Sequence, residues 1–327
     1  MNSQTHQPQN KKLLDQYRDA LRLKRYSPRT EQTYTEWIRD YILYHKKRHP
    51  KEMGTPEIGQ FLTHLTAERN VSASTQNQAL SAILFLYRHL LHIPLDETAL
   101  AAYRPQRAKS VPTVLSKDEV KRLITSLTGT PKLIAQVMYG GGLRIMEAMR
   151  LRIKDIDFDN RQIVIRDGKG ENDRFTILPD SLHRSLHLHI QQVKLLHQKD
   201  LQDGFGTVYL PGAIAEKSPN ANKEWIWQFL FPALDLSKDP RTGIVQRHHL
   251  HETVLQKAIR QAARTAKIDK HVTPHTLRHS FATHLLQNNY DIRTIQELLG
   301  HKDVKTTMIY THVLLRGGLA VKSPLDP

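Results

Sequence analysis

Residues 273–279 have the sequence Thr-Pro-His-Thr-Leu-Arg-His, and this short segment is the most informative part of the chain. Thr273 is a residue type that caps helix N-termini and Pro274 is favoured in a first turn, so a helix is predicted to begin here. His275 and Arg278 then lie three residues apart on one helical face. Because free N–H groups also point outward at a helix N-terminus, the segment predicts an anion-binding site. The apolar residues expected to face the core are Leu277, Phe281 and Leu285.

A second informative segment lies towards the C-terminus. Leu299-Gly300-His301 follows an apolar stripe, and Tyr310 comes nine positions after His301. Gly300 is expected to end the preceding helix, since glycine adopts the left-handed conformation common at helix C-termini. We therefore expect His301 at an exposed corner rather than inside a core. The stripe that buries this helix consists of Ile292, Ile295, Leu298 and Leu299.

Two further segments lie upstream. Residues 142–147, Gly-Leu-Arg-Ile-Met-Glu, follow two glycines and are predicted to open a helix. Lys169 lies between two glycines at the tip of a predicted β-hairpin, whose strands are residues 161–166 and 174–178. Taken singly, each of these residues has an ordinary structural explanation. Arg144 is compatible with a surface arginine, Lys169 with a turn lysine and Tyr310 with a packed aromatic ring. Their occurrence together, in this order, is what indicates function.

Together the four segments resemble the signatures of the tyrosine recombinase (phage integrase) family. Those signatures are Gly-Leu-Arg-x-x-Glu, His-x-Leu-Arg-His, and Leu-Gly-His followed by Tyr-Thr-His. The resemblance also implies that Glu147, one turn after Arg144, orients that arginine. The six catalytic residues that it implies are present without substitution: Arg144, Lys169, His275, Arg278, His301 and Tyr310.

The chemistry implied by this resemblance is a transesterification at a DNA phosphate. Tyr310 attacks the phosphodiester, the 5′-hydroxyl leaves, and a 3′-phosphotyrosyl bond keeps the bond energy, so no ATP is needed. Ionising a free tyrosine at pH 7 costs roughly 4 kcal/mol, so a base is required, and the resemblance favours His275 while the choice among the histidines stays open. Lys169 is the expected acid for the leaving oxygen. Arg144 and Arg278 are expected to bind the non-bridging oxygens, and His301 is expected to donate a further hydrogen bond.

The composition agrees with a nucleic-acid partner. The 327 residues include 48 lysines and arginines against 32 aspartates and glutamates, which gives a formal net charge of +16. This excess favours a polyanion and, without a lipidation motif, favours nucleic acid over an anionic membrane. The absence of cysteine excludes disulfides, thiolate nucleophiles and cysteine-bound metals. No cofactor and no metal are expected, because cationic side chains supply the positive charge that metals supply in many nucleases.

The predicted fold class is mainly α with a small β-hairpin or sheet (α+β). Capping signals and apolar periodicity predict four short helices at the start of the chain, and the resemblance identifies residues 1–103 as a SAM-like core-binding domain. A basic linker over 104–115 is expected to lead to a catalytic domain over 116–327, and in the family the two domains form a C-shaped clamp around DNA. Residues 1–9 are polar, and the longest apolar run, 82–87, is too short to cross a bilayer. We therefore expect a cytoplasmic protein with no membrane partner. The family resemblance implies that it is bacterial and nucleoid-associated.

The interval of 106 positions between Lys169 and His275 is longer than in ordinary members of the family. The extra material, at about 190–250, resembles that of the integron integrases. This subfamily recombines gene-cassette sites folded from single-stranded DNA and recognises bases that protrude from the stem. The resemblance implies that Trp225 or Trp227 stacks on one such base. The residues implied to line a pocket for another base are Pro240, His248 and His249.

The sequence also leaves alternative functions open. The aromatic residues of 225–231 alternate, so they are also typical of a segment that faces a core. The chain is also compatible with an ordinary phage or chromosome-dimer-resolving recombinase on duplex sites, or with a DNA-binding protein that does not cut. The histidines of 248–251 admit a metal-dependent nuclease, since imidazole is a common metal ligand. Under the favoured interpretation, the partners are folded single-stranded and duplex cassette sites, on which the protein assembles as a homotetramer.

Overall fold

The structure is a computed structural model, and it describes residues 11–105, 112–166, 173–210, 212–239 and 242–311. The chain divides into two compact units, Met1–Lys109 and Ser110–Pro327. Lys169 and Pro240, two of the predicted site residues, lie outside the described residues, as does the middle of the predicted linker.

The described part of the N-terminal unit is helical, and serines cap two of its helices. Ser27 accepts a hydrogen bond from the backbone N–H of Thr30, and Ser72 accepts one from that of Thr75, each at 3.2 Å. One short helix follows the four that were predicted. In chain order the helices are α1 (Leu13–Leu23), α2 (Pro28–Tyr44), α3 (Thr55–Ala67), α4 (Ala73–Leu86) and α5 (Glu97–Ala101).

The C-terminal unit is also mainly helical. Its first helix begins with a capping box, in which the backbone N–H of Ser116 donates to Glu119 Oε2 at 2.7 Å. The second helix has Gly142 as its C-cap, and the φ of this glycine, +66°, is left-handed. The helices in chain order are α6 (Lys117–Thr125), α7 (Gly129–Gly141), α8 (Ile145–Arg150), α9 (His183–Gln202), α10 (Gly212–Lys217), α11 (Glu252–Thr265), α12 (Pro274–Gln287), α13 (Ile292–Leu299) and α14 (Val304–Thr307).

A small antiparallel sheet lies between α8 and α9. The predicted hairpin corresponds to β2 (Gln162–Ile165) and β3 (Arg174–Ile177), which pair with Val164 opposite Phe175. A two-residue strand that was not predicted, β1 (Ile156–Asp157), pairs with β2 on its other side. The fold class, mainly α with small antiparallel sheets, is therefore confirmed.

Residues 203–250 lie within the extra material at about 190–250, and no helix or strand was predicted for them, yet they have regular structure. Besides α10, they contain a second antiparallel hairpin, β4 (Pro232–Lys238) and β5 (Val245–His249). A register irregularity between Pro232 and Leu236 interrupts the alternation by which a strand is recognised in a sequence. This segment has a small core of its own, formed by Val208, Leu210, Ala221 and Phe229.

A separate cluster of buried residues brings the end of the described chain onto α12 and α13. It includes Phe281 on α12, Leu299 at the end of α13 and Tyr310, which lies in the 3-10 turn Met308–Tyr310. The helix that carries His275 and Arg278 and the helix that precedes His301 therefore both meet Tyr310 at this point. None of the helices in the described ranges has the length and apolar character that a membrane crossing demands.

Candidate active site

The N-terminus of α12 has the predicted local structure. Thr273 occupies the N-cap and Pro274 the first helical position. His275 is exposed, whereas Arg278 is buried, with only 3% of its surface accessible. Partial desolvation, followed by the charges of Arg278 and Arg144, lowers the pKa of His275.

Arg278 is fixed by the ends of two helices. Its Nη1 donates to the carbonyl of Gly142 at 2.7 Å, and its Nη2 donates to the carbonyl of Leu299 at 2.6 Å. These carbonyls lie at the C-termini of α7 and α13, where the helix leaves acceptors unsatisfied. Burial, and then the charge of Arg144, lowers the pKa of Arg278 to about 10, so the guanidinium is charged at neutral pH. The side chain is therefore a buried cation in a fixed orientation.

Glu147 holds the arginines together. It accepts two hydrogen bonds from Arg144, one from the backbone N–H and one from Nη1, each at 2.7 Å. It also accepts from both Nη atoms of Arg174, at 3.0 and 2.7 Å, and lies 3.6 Å from Arg278 Nη1. Burial alone would raise the pKa of Glu147, but the hydrogen bonds and charges of Arg174 and Arg144 lower it to about 2.

Arg174 was not predicted as a site residue. It lies at the start of β3, and its Nε also donates to the carbonyl of Leu298 at 3.1 Å. It therefore links the sheet, Glu147 and the end of α13. A strand-end arginine belongs to none of the recognised motifs, so only the contacts identify it.

His301 differs from its prediction. It is half-buried rather than at an exposed corner, and both ring nitrogens have partners in the protein. Its Nε2 lies 3.1 Å from Arg278 Nη2 and its Nδ1 lies 2.9 Å from Thr307 Oγ1. Because a guanidinium only donates, Nε2 accepts and Nδ1 bears the proton. Burial and the arginine charges lower the pKa of His301 to about 4, so the ring is neutral.

Tyr310 is buried next to this cationic group, with 2% of its surface exposed. Its Oη lies 3.0 Å from Nδ1 of His279. Burial raises the pKa of Tyr310, while the charges of Arg278 and Arg144 act in the opposite direction. No hydrogen bond joins Tyr310 to His275 within the described ranges.

His279 is the second residue that the sequence-based prediction missed. It is part of the quoted segment 273–279, one helical turn after His275, and the centroids of the two rings are 6.5 Å apart. A spacing of four residues on one helix was the signal that could have identified it.

Chemically, this arrangement suits a phosphate ester. Arg144 keeps 41% of its side chain exposed and His275 is exposed, so an anion has access to one side of the cluster. Arg278 supplies a second guanidinium behind them, and a phenol lies at the buried end. The described part of the chain has no group of three or more histidine, aspartate or glutamate side chains arranged to hold a metal.

The two predicted tryptophans have different surroundings. The ring of Trp227 is covered on one face by Lys154, whose Nζ lies 3.0 Å from the ring centroid. Trp225 is half-buried, and its ring lies 6.0 Å from that of His197. Lys154 therefore covers the ring of Trp227 but not that of Trp225.

The two predicted histidines of the same segment lie side by side. The ring centroids of His248 and His249 are 4.2 Å apart, and each is 5.4 Å from that of Phe229. His248 is half-buried and His249 is buried. Phe229 and Phe231 are both buried, at 3% and 0% exposure, as expected of packing residues.

Comparison with known proteins identifies relatives along most of the chain. The profile described as "Phage integrase family" matches residues 113–316, and that of the "Phage integrase, N-terminal SAM-like domain" matches residues 13–97. An Escherichia coli protein named "Integrase/recombinase" is 47% identical over 315 residues, which cover 96% of this chain and 93% of that protein. "Tyrosine recombinase XerA" of Thermococcus kodakarensis is 30% identical over 304 residues, covering 92% and 90%.

Solved structures with the same fold include two complexes with DNA. XerH site-specific recombinase bound to its difH substrate superposes with a TM-score of 0.63 at 19% identity, covering 99% of this chain and 91% of that one. A lambda integrase dimer bound to a COC′ core site gives a TM-score of 0.61 at 17% identity, covering 96% and 98%. At these identities the similarity is one of fold.

Proposed function

The chain belongs to the phage integrase family of tyrosine recombinases, enzymes that cleave and rejoin DNA strands, and we therefore propose that Tyr310 is its nucleophile. The phenol oxygen attacks a backbone phosphate, the 5′-oxygen leaves, and a 3′-phosphotyrosyl bond joins protein and DNA. A hydroxyl of another strand then reverses the step. One observation supports this assignment above the others: the ring of Tyr310 lies 6.3 Å from that of His301, which in turn contacts Arg278 of another helix at 3.1 Å.

The two arginines are proposed to stabilise the charge that grows on the non-bridging oxygens. Arg278 is held rigidly by backbone carbonyls, so it needs little reorganisation when a phosphate binds. Arg144 is oriented by Glu147 and is more exposed. His301 reaches a phosphate as a hydrogen-bond donor only if its present contacts with Arg278 and Thr307 are exchanged.

Two proton transfers complete the proposed reaction. Lys169 is the proposed acid that protonates the leaving 5′-oxygen, as the family resemblance implies. The resemblance assigns the base to His275, which lies on the same helix as Arg278.

The nucleophile is tested with a nicked suicide duplex that traps the covalent complex. Wild-type protein is expected to form an adduct that resists denaturation, whereas Tyr310→Phe forms none, because phenylalanine has no oxygen to attack phosphorus. Tyr290→Phe is a matched control, since Tyr290 is 54% exposed and lies outside the cluster. Equal adduct in the wild type and in Tyr310→Phe would contradict the assignment.

We further propose that this recombinase is an integron integrase that inserts and excises gene cassettes, acting as a DNA-bound homotetramer in the bacterial cytoplasm. Support comes from residues 203–250, which contain the additional hairpin and, before it in the chain, a small separate cluster of buried residues. Trp225 is the proposed stacking surface for an extrahelical base, and Trp227 offers only the face that Lys154 leaves open. Pro240, His248 and His249 are proposed to contact a second base.

An ordinary recombinase on duplex sites is the alternative, which the similarity to "Tyrosine recombinase XerA" and "Tyrosine recombinase XerD" favours. Trp225→Ala separates the two. Under the integron proposal it weakens binding to a folded single-stranded cassette site by roughly 5- to 150-fold, the equivalent of about 1–3 kcal/mol of lost stacking, and spares a plain duplex site. Ile226→Ala is the matched control, because Ile226 is 46% exposed and adjacent. Equal loss on both DNAs would favour the alternative.

A further inference from the structure

The hydroxyl of Tyr310 has an imidazole partner that the family resemblance does not assign. His279 Nδ1 lies 3.0 Å from Tyr310 Oη, and the two ring centroids are 5.6 Å apart. His279 projects from α12 one turn after His275, so a rigid helix holds it in place. This distance is within the range over which a general base takes a proton directly.

We propose that His279, rather than His275, accepts the proton of Tyr310 during DNA cleavage. The inference rests on the proposed function, since it concerns the base for the same nucleophile. His275 is exposed beside Arg144 and Arg278 and is better placed to meet the phosphate than the phenol.

The proton of Tyr310 moves to His279 as the new ester forms. The O–H bond of Tyr310 breaks and an N–H bond forms at Nδ1 of His279. The phenol oxygen bonds to phosphorus, the bond from phosphorus to the 5′-oxygen breaks, and that oxygen takes a proton from the general acid. In rejoining, the imidazolium of His279 returns its proton to the departing tyrosine oxygen.

The charges around His279 explain why its basicity is expected to rise when DNA binds. The groups facing it are His275 and Arg278 on α12, His301 after α13, and Tyr310. Burial, followed by His275 and Arg278, lowers the pKa of His279 to about 4, so the ring is neutral and Nδ1 can accept a proton. A bound phosphodiester has a negative charge that offsets Arg278. The imidazole therefore becomes more basic when the substrate arrives.

The test uses the full chain and the nicked suicide duplex, with the rate of adduct formation measured at saturating DNA from pH 5 to pH 9. His279→Asn keeps an amide oxygen that accepts the tyrosine hydrogen bond but cannot take its proton. We expect a fall of about 10²- to 10⁴-fold and loss of the wild-type decline in rate at low pH. A duplex with a 5′-bridging sulfur, whose thiolate leaves without an acid, should not restore the rate.

The chain provides a matched control on the same helix. His284 Nδ1 lies 2.8 Å from Tyr139 Oη, a similar pair, and His284→Asn should cleave at the wild-type rate. His275→Asn is expected to keep the low-pH decline even if it slows cleavage. His279→Gln provides a second carboxamide should His279→Asn fail to fold, as judged by its unfolding midpoint.

Two outcomes would overturn the inference: wild-type rates in the His279 variants, or slower rates with the low-pH decline intact, which would indicate a structural role. If wild-type protein itself forms no Tyr310 adduct, the proposed function fails instead, so the two failures are distinguishable.

Discussion

Glu147 illustrates how a single residue shapes the candidate site. Its carboxylate accepts hydrogen bonds from Arg144 and Arg174 and lies near Arg278. Three buried or half-buried cations at this separation would repel one another without it. The carboxylate therefore contributes both to the stability of the unit and to the orientation of the arginines.

The pH dependence of stability follows from the same residue. The pKa of Glu147 falls from an ordinary 4.5 to about 2 on folding, which corresponds to about 3 kcal/mol of stability. Because the folded-state pKa is the lower one, this contribution is complete above pH 4.5 and is lost as the pH falls towards 2. Glu147→Gln should lower the free energy of unfolding at pH 7 by about 3 kcal/mol and flatten its decline below pH 4.5. Chemical denaturation at a series of pH values measures both.

Glu216→Gln is the control for this prediction, because Glu216 is exposed in the same unit. It should leave both the free energy of unfolding and its pH dependence unchanged. A Glu147→Gln protein with the stability of the wild type would show that the arginines do not need the carboxylate.

Individual catalytic candidates were identified from the sequence through motifs, not through geometry. Nothing in the local pattern of Arg144 or Arg278 predicts that residues 134 positions apart share Glu147. Arg174 and His279 were missed because their significance lies in contacts made across the fold. His301 was placed at an exposed corner because the end of α13 was predictable and its packing against Thr307 was not.

At the level of secondary structure, two helix ends form part of the site. The carbonyls of Gly142 and Leu299, at the ends of α7 and α13, both accept from Arg278. Both helices end on a left-handed glycine, Gly142 with φ of +66° and Gly300 with φ of +63°. The backbone at these ends therefore sets where the buried cation lies.

Gly142→Ala tests this dependence. An added Cβ would lie 2.5 Å from the ring of Phe281, in addition to the cost of a left-handed alanine. We expect the free energy of unfolding to fall by roughly 2–5 kcal/mol, from about 1–2 kcal/mol of backbone strain and about 1–3 kcal/mol of overpacking. Adduct formation should fall too, because the carbonyl that holds Arg278 shifts.

Gly204→Ala separates the two costs. Gly204 has φ of +83° but no atom within 4 Å of an added Cβ. Only the cost of a left-handed alanine therefore applies. This variant should lose about 1–2 kcal/mol and cleave normally. Equal losses in the two variants would mean that contact with Phe281 is unimportant.

Helices were more predictable than strands in this chain. Capping residues such as Ser27, Ser116 and Thr273 mark helix starts locally, and each is an N-cap in the structure. β1 is only two residues long, and β4 starts at a proline and contains a register irregularity. Neither strand presents the regular alternation that a sequence pattern needs.

At the scale of the whole molecule, the net positive charge is expected to dominate binding to DNA. A formal charge of +16 implies that binding DNA releases counterions from many phosphates. Electrostatic attraction of this kind is independent of base sequence, so it contributes to binding on any duplex.

Salt titration tests this electrostatic term. With Tyr310→Phe protein, so that no cleavage intervenes, affinity for duplex DNA should fall by roughly 10³- to 10⁵-fold between 50 and 200 mM salt if 6–10 phosphates are neutralised. The measurement is fluorescence anisotropy of a labelled duplex at each salt concentration. A duplex without a recombination site is the comparison and should give a similar slope. A flat response would contradict a mainly ionic interface.

The segment 203–250 has a small buried cluster of its own, but Leu230 and Phe231 belong to the main core of the C-terminal unit. Its backbone is also joined to that unit at residues 151–153, where Leu230 donates to the carbonyl of Leu151 and Ile153 donates to that of Gln228. Loss of the whole segment would therefore open that core, whereas its exposed side chains can change without doing so. Mutations on its outer surface alter what the molecule touches while the reacting groups stay as they were. Under the proposed function, target preference and chemistry are therefore free to evolve at different speeds.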